Sequence, residues 1–160
     1  MKTLHRSIAA LACICLAFAG SAVALTEHHA AGHAHEAPPK LELDHGRPWA
    51  TDAPLRKGMN ALRTAFAESL EGIHAGTLAP EDYEALGVKI EAEVATVVAE
   101  CKLEPRADAV LHVVLAELLA AAEILQGRAP GTPIAGAHRA VAALNDYGRY
   151  FDHPKWLPLQ

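Results

Sequence analysis

Signatures of catalysis are what this chain lacks most plainly. It has no Cys-x-x-Cys-His for covalent haem, no His-Glu-x-x-His zinc motif and no pair of Glu-x-x-His motifs on helices to build a di-iron centre. Glycine-rich phosphate loops are missing too, and the stretch from Gly127 to Gly136 is a turn broken by proline. An enzyme is therefore not expected. Cysteine is scarce: Cys13 and Cys15 lie in the N-terminal apolar stretch and only Cys101 lies beyond it. A mature chain holding Cys101 alone has no internal disulfide, so its core must hold it together. Aromatic residues make up 5% of the sequence, no run alternates apolar and polar residues as a strand does, and no internal repeat is visible.

Long apolar runs are absent as well. The one candidate, Ile8 to Ala19, follows Lys2 and Arg6 and precedes Ala22-Val23-Ala24. It falls short of the roughly 20 residues of a bilayer span, whereas the small-x-small triplet is what a signal peptidase reads. The expectation is a signal peptide over residues 1–24, cleavage after Ala24 and a periplasmic protein with no membrane anchor. Losing Lys2 and Arg6 makes the chain about two charges more acidic than its formal −5, which argues against nucleic acid and anionic membranes as partners.

What is present begins with histidine. His28, His29, His33 and His35 place four imidazoles within eight residues, flanked by Glu27 and Glu36. Such a segment can chelate copper, nickel or zinc without preformed geometry, with carboxylate or backbone oxygens filling the remaining positions. Cleavage after Ala24 makes His28 the fourth residue, so the amino-terminal copper motif with histidine third is absent. Histidine, alanine, proline and acidic residues continue to about residue 50 with Pro38-Pro39 between them, which predicts a flexible arm over 25–50.

Four amphipathic stretches follow. The first, from about Thr51 to Ala75, puts Leu55, Met59, Leu62, Phe66, Leu70 and Ile73 on one face. The second opens at Pro80 with Tyr83, Leu86, Ile90, Val94, Val97 and Cys101 in near-heptad register. The third follows Leu103-Glu104-Pro105, carries Leu111, Val114, Leu118, Ala121 and Leu125, and stops at Gly127. The fourth starts at Thr132-Pro133, carries Ile134, Ala137, Val141, Leu144, Gly148 and Phe151, and ends before His153-Pro154. Short turns between helices of this length predict an all-α, up-down-up-down antiparallel four-helix bundle over 51–153, with a C-terminal tail at 154–160.

In that topology Met59, Cys101, His112 and His153 fall towards one end, Met59 and His112 at similar heights about 10 Å from it. Thioether, thiolate and imidazole together suit copper(I), or zinc if water replaces Met59. Each also has an ordinary structural reading: Met59 and Cys101 as core residues, His112 as a boundary histidine. His74 and His138 lie towards the opposite end and read as solvated surface.

Met59 in Gly58-Met59-Asn60-Ala61-Leu62-Arg63 is similar to the early helix-one methionine of the soluble periplasmic cytochrome b and cytochrome c′ bundles, which implies an electron carrier with non-covalent haem. The late helix-four histidine is missing: Asn145-Asp146-Tyr147-Gly148-Arg149-Tyr150-Phe151 offers tyrosines and phenylalanine instead, which argues against haem. Three further segments are Leu43-Asp44-His45-Gly46-Arg47-Pro48-Trp49-Ala-Thr51-Asp52-x-x-Leu55-Arg56-x-Gly58-Met59, Cys101-Lys102-Leu103-Glu104-Pro105-x-Ala107-Asp108-x-x-Leu111-His112, and Ala143-Leu144-Asn145-x-Tyr147-Gly148-x-Tyr150-Phe151-Asp152-His153-Pro154-x-Trp156. Together they resemble a family of small exported proteins of unknown biochemistry, sometimes labelled denitrification-regulator-associated. The resemblance implies a haem-free exported helical domain. All three segments map to one bundle end, where they form either a metal pocket or a lid in which Trp49 and Trp156 cap the core. The reading from sequence is a non-catalytic periplasmic metal-binding or metal-stress protein, with copper the first ion and zinc the second. Its alternatives are a haem carrier or a ligand-free interaction protein.

Overall fold

Four prolines mark where the helices begin, because a residue without an N–H loses nothing in the first turn. In the computed structural model, which describes residues 40–160, the elements are β1 (Trp49–Ala50), α1 (Ala53–Ala75), α2 (Pro80–Glu100), α3 (Pro105–Leu125), α4 (Pro133–Tyr150) and β2 (Phe151–Asp152). All four helices carry proline at the first or second position. The expected signal peptide and His28, His29, His33 and His35 lie outside the described residues.

Side chains satisfy the orphan amides at the helix starts. Asp52 Oδ1 accepts from the Leu55 N–H at 2.9 Å, Glu104 Oε1 from the Ala107 N–H at 2.8 Å and Thr132 Oγ1 from the Ala135 N–H at 3.3 Å. Ala79 has no acceptor to offer, and Asp82 instead reaches back to take the Ala79 N–H at 3.3 Å. The end of α1 is closed by Gly76 at φ 64°, whose N–H, like that of Thr77, turns back onto carbonyls of the last turn.

The apolar stripes meet in one core. Leu55, Met59, Leu62, Phe66 and Ile73 of α1, Ile90 and Val97 of α2, Leu111 and Leu118 of α3, and Leu144 and Tyr147 of α4 are all almost completely buried. The helix α3 is the most enclosed, packed between α2 and α4. Small residues let it approach α4 closely: Ala121 is fully buried in α3, and the buried positions of α4 include Gly136, Ala137, Ala140 and Ala143. A Cβ at Gly136 would meet Ile124 and Leu125 at 3.1 Å.

Residues 40–50, the described part of the expected arm, and the expected tail pack onto the helices. Asp44 and Arg47 exchange backbone hydrogen bonds around His45-Gly46, both at positive φ, and Trp49 is 4% exposed. β1 pairs in parallel with β2 in the register Trp49 with Phe151 and Ala50 with Asp152. Period-two alternation has no room to show in strands of two residues. At the other terminus Leu159 is buried, its N–H and C=O both bonded to the side-chain amide of Asn145. The Trp156 indole lies on Gly148, where a Cβ would come within 2.2 Å of the ring. Residues 40–50 and 154–160 are thus part of the packed domain, because Trp49, Trp156 and Leu159 have apolar surface to bury. Among the described residues no helix is long and apolar enough to cross a membrane.

Candidate functional site

The three unusual segments do meet. β1 and β2 join the first to the third, and the Thr51 hydroxyl adds a bond to the Asp152 carbonyl at 2.7 Å. Asp52 joins the first to the second: besides capping α1, its Oδ2 accepts the Lys102 N–H at 2.6 Å. Arg56 donates to the Thr51 carbonyl and to the Thr51 hydroxyl. A groove of about 390 Å³ opens between the first two segments, lined among others by Asp44, Trp49, Asp52, Lys102, Leu103 and Arg106. The Arg106 guanidinium lies 5.2 Å from the centre of the Trp49 ring, with the carboxylates of Glu42 and Asp44 each at 3.9 Å.

Below this surface is an aromatic cluster. Tyr147, the last buried residue of α4, stacks on Phe151 with ring centres 5.3 Å apart and meets the edges of His153 and Trp156 at 5.7 and 4.8 Å. The Tyr147 hydroxyl and His153 Nδ1 are hydrogen-bonded at 2.8 Å. Burial pushes the Tyr147 hydroxyl well above the ordinary phenol range, a rise opposed by Arg56 and assisted by Asp52, so the phenol keeps its proton. Burial also pulls His153 below the usual imidazole value, with Arg56 adding to the effect. A neutral ring can take at Nδ1 the proton that Tyr147 donates, the tautomer that carries its own proton on Nε2.

The four metal donors expected at this end sit in four different environments. Met59 is fully buried in the core. Cys101 is half-buried at the C-cap of α2, its thiol pushed up by burial and then by Asp52 and Asp108. That shift opposes the thiolate a metal requires. His112 is exposed, its Nδ1 2.9 Å from the Asp108 carbonyl one turn earlier. His153 is buried at 8% exposure and committed to Tyr147. Among the described residues no three side chains of histidine, cysteine, aspartate or glutamate gather round a common point. The segments converge as backbone, and the donors they carry remain engaged separately.

Sequence reasoning did not find the partnership of Tyr147 with His153 or the double role of Asp52. The first crosses a helix end and the second spans 50 residues, so neither has a periodic signature. Comparison with known proteins yields no matching family model, curated protein or solved structure.

Proposed function

We propose that the protein is an exported, non-catalytic metal-binding protein of the periplasm, in which the histidine segment captures copper, with zinc second. The helical domain is its carrier, an up-down-up-down antiparallel bundle. The observation that carries the reading is the density of His28, His29, His33 and His35 behind a signal-peptide pattern. Neighbouring imidazoles on a short segment can enclose one ion without a preformed cavity. The helix-end contacts support the topology. The start of α1 meets the end of α2 through Asp52 and Lys102, Gly87 of α2 lies against Ala122 and Gln126 at the end of α3, and Gly76 after α1 lies against Ile134 at the start of α4.

The distribution of the remaining donors supports assigning capture to the segment. Met59 and His153 serve packing and hydrogen bonding, Cys101 holds its proton, and His112 stands at the surface. The bundle end with Trp49 and Trp156 then acts as a cap over the core. Equilibrium dialysis of the exported protein against copper and zinc is the test, comparing the wild type with a variant in which His28, His29, His33 and His35 are all alanine. The wild type binds at least one more copper ion than the variant; equal stoichiometry in the two refutes the reading.

A further inference from the structure

Two histidines far apart in sequence come together at the opposite end of the helices. His74 stands in the last turn of α1 and His138 in the second turn of α4. Their ring centres are 6.4 Å apart and the ring planes are tilted by 50°. Both side chains are exposed. Their backbones are anchored: Ile73 and Ala137, the residues immediately before them, are each 0% exposed. The end of α1 is further held where Gly76 lies against Ile134, with a Cβ there 3.7 Å from the isoleucine Cδ1.

We propose that His74 and His138 form a two-imidazole site for a borderline transition-metal ion such as Zn²⁺ or Cu²⁺, bridging α1 and α4. With metal–nitrogen bonds of about 2.0–2.1 Å, two imidazoles on one ion have ring centres about 5 Å apart at a tetrahedral angle and about 6.3 Å apart when collinear. The observed separation of 6.4 Å lies just beyond the open end of that range, and both side chains are exposed, so rotation about their own bonds is what brings them onto one ion. Imidazole nitrogen selects zinc, copper and nickel over magnesium and calcium, which take oxygen ligands. Glu71, one turn before His74 and also exposed, places a carboxylate on the same stretch of α1 and adds to the attraction for a cation. Water fills the remaining positions.

The proposal uses no residue of the histidine segment. The test uses the full chain with His28, His29, His33 and His35 replaced by alanine, titrated with Zn²⁺ and followed by calorimetry and thermal melting. An ion bound by the folded state alone raises the melting temperature, by about 5 °C at zinc roughly tenfold above its dissociation constant. The expected result is one zinc per chain, a melting temperature that rises with zinc, and loss of both when His74→Ala or His138→Ala is added. Those two substitutions leave the zinc-free melt and the helical circular dichroism unchanged, since both side chains are exposed. No zinc-dependent shift, a shift that survives both substitutions, or a shift accompanied by dimerisation in sedimentation overturns the proposal. Copper capture by the segment is read separately in the dialysis comparison, so failure of either proposal leaves the other measurable.

Discussion

His153 shows how burial sets the chemistry of a single residue. In the folded protein its ring is neutral, enclosed by Tyr147 and Trp156, with Arg56 adding to the cost of charging it. In the unfolded chain the same ring titrates near the ordinary imidazole value of 6.5. Below that pH the unfolded chain takes up a proton that the folded one resists, so unfolding is coupled to proton uptake and stability rises with pH. The contribution of His153 is therefore complete above about 6.5 and is lost as pH falls towards and through the depressed folded value. Thermal melts at pH 7.5, 6.5 and 5.5 should show the wild type losing more stability on acidification than His153→Gln. An equal loss in both would mean that His153 is not shielded. The placement of His153 was not legible in the sequence, where it reads as a residue just past the end of a helix. What buries it is the turn through Lys155, at φ 63°, that folds Trp156 back onto Gly148.

At the scale of elements, starts and stops were written locally and connections were not. Proline at the opening of each helix, Gly76 and Gly127 near their ends and the 3.6-residue spacing of apolar side chains place all four helices within a few residues, since each signal acts within one or two turns. Asp52 also reads as an ordinary cap of α1. That the same carboxylate holds the Lys102 N–H beyond the end of α2 depends on two helix ends meeting. Asp52→Ala removes a cap and leaves a second amide without its partner, and should cost about 1–2 kcal/mol. Asp52→Asn keeps one of the two acceptor oxygens, enough for the α1 cap but not for the Lys102 N–H as well, and should cost less than Asp52→Ala. Urea unfolding of the two variants measures the difference, and equal costs would show that the retained cap bond contributes nothing.

For the whole molecule, the consequence of helix packing is that both flanks of the helical region become structure. Trp49 and Leu159 are buried against the helices, and the parallel pair of β1 and β2 ties residues before α1 to residues after α4. The segment ending at residue 50 was expected to be flexible because its composition is polar and its apolar residues have no period. Trp49 is the exception that composition averages away, and one buried indole with a strand pair beside it docks residues 40–50. The tail behaves in the same way. Leu159→Ala should destabilise the domain by about 2 kcal/mol and speed hydrogen exchange at the β1–β2 pair, while helical circular dichroism is retained. An unchanged urea midpoint would show a tail that merely lies on the surface.

The sequence by itself determined the four helices, their boundaries and their core faces, because proline, glycine and apolar spacing act over a few residues and require no knowledge of what lies across the chain. It also marked the histidine segment, whose chemistry depends on density and not on fold. Only the tertiary structure decided which groups became neighbours: Asp52 with Lys102, Tyr147 with His153, and His74 with His138. The first and third are products of helix packing, and the second of the turn that folds the chain back after α4. The same packing sealed Met59 in hydrocarbon and left His112 facing water, because side chains carried to one end of a fold share an environment only where their own rotation and burial allow it.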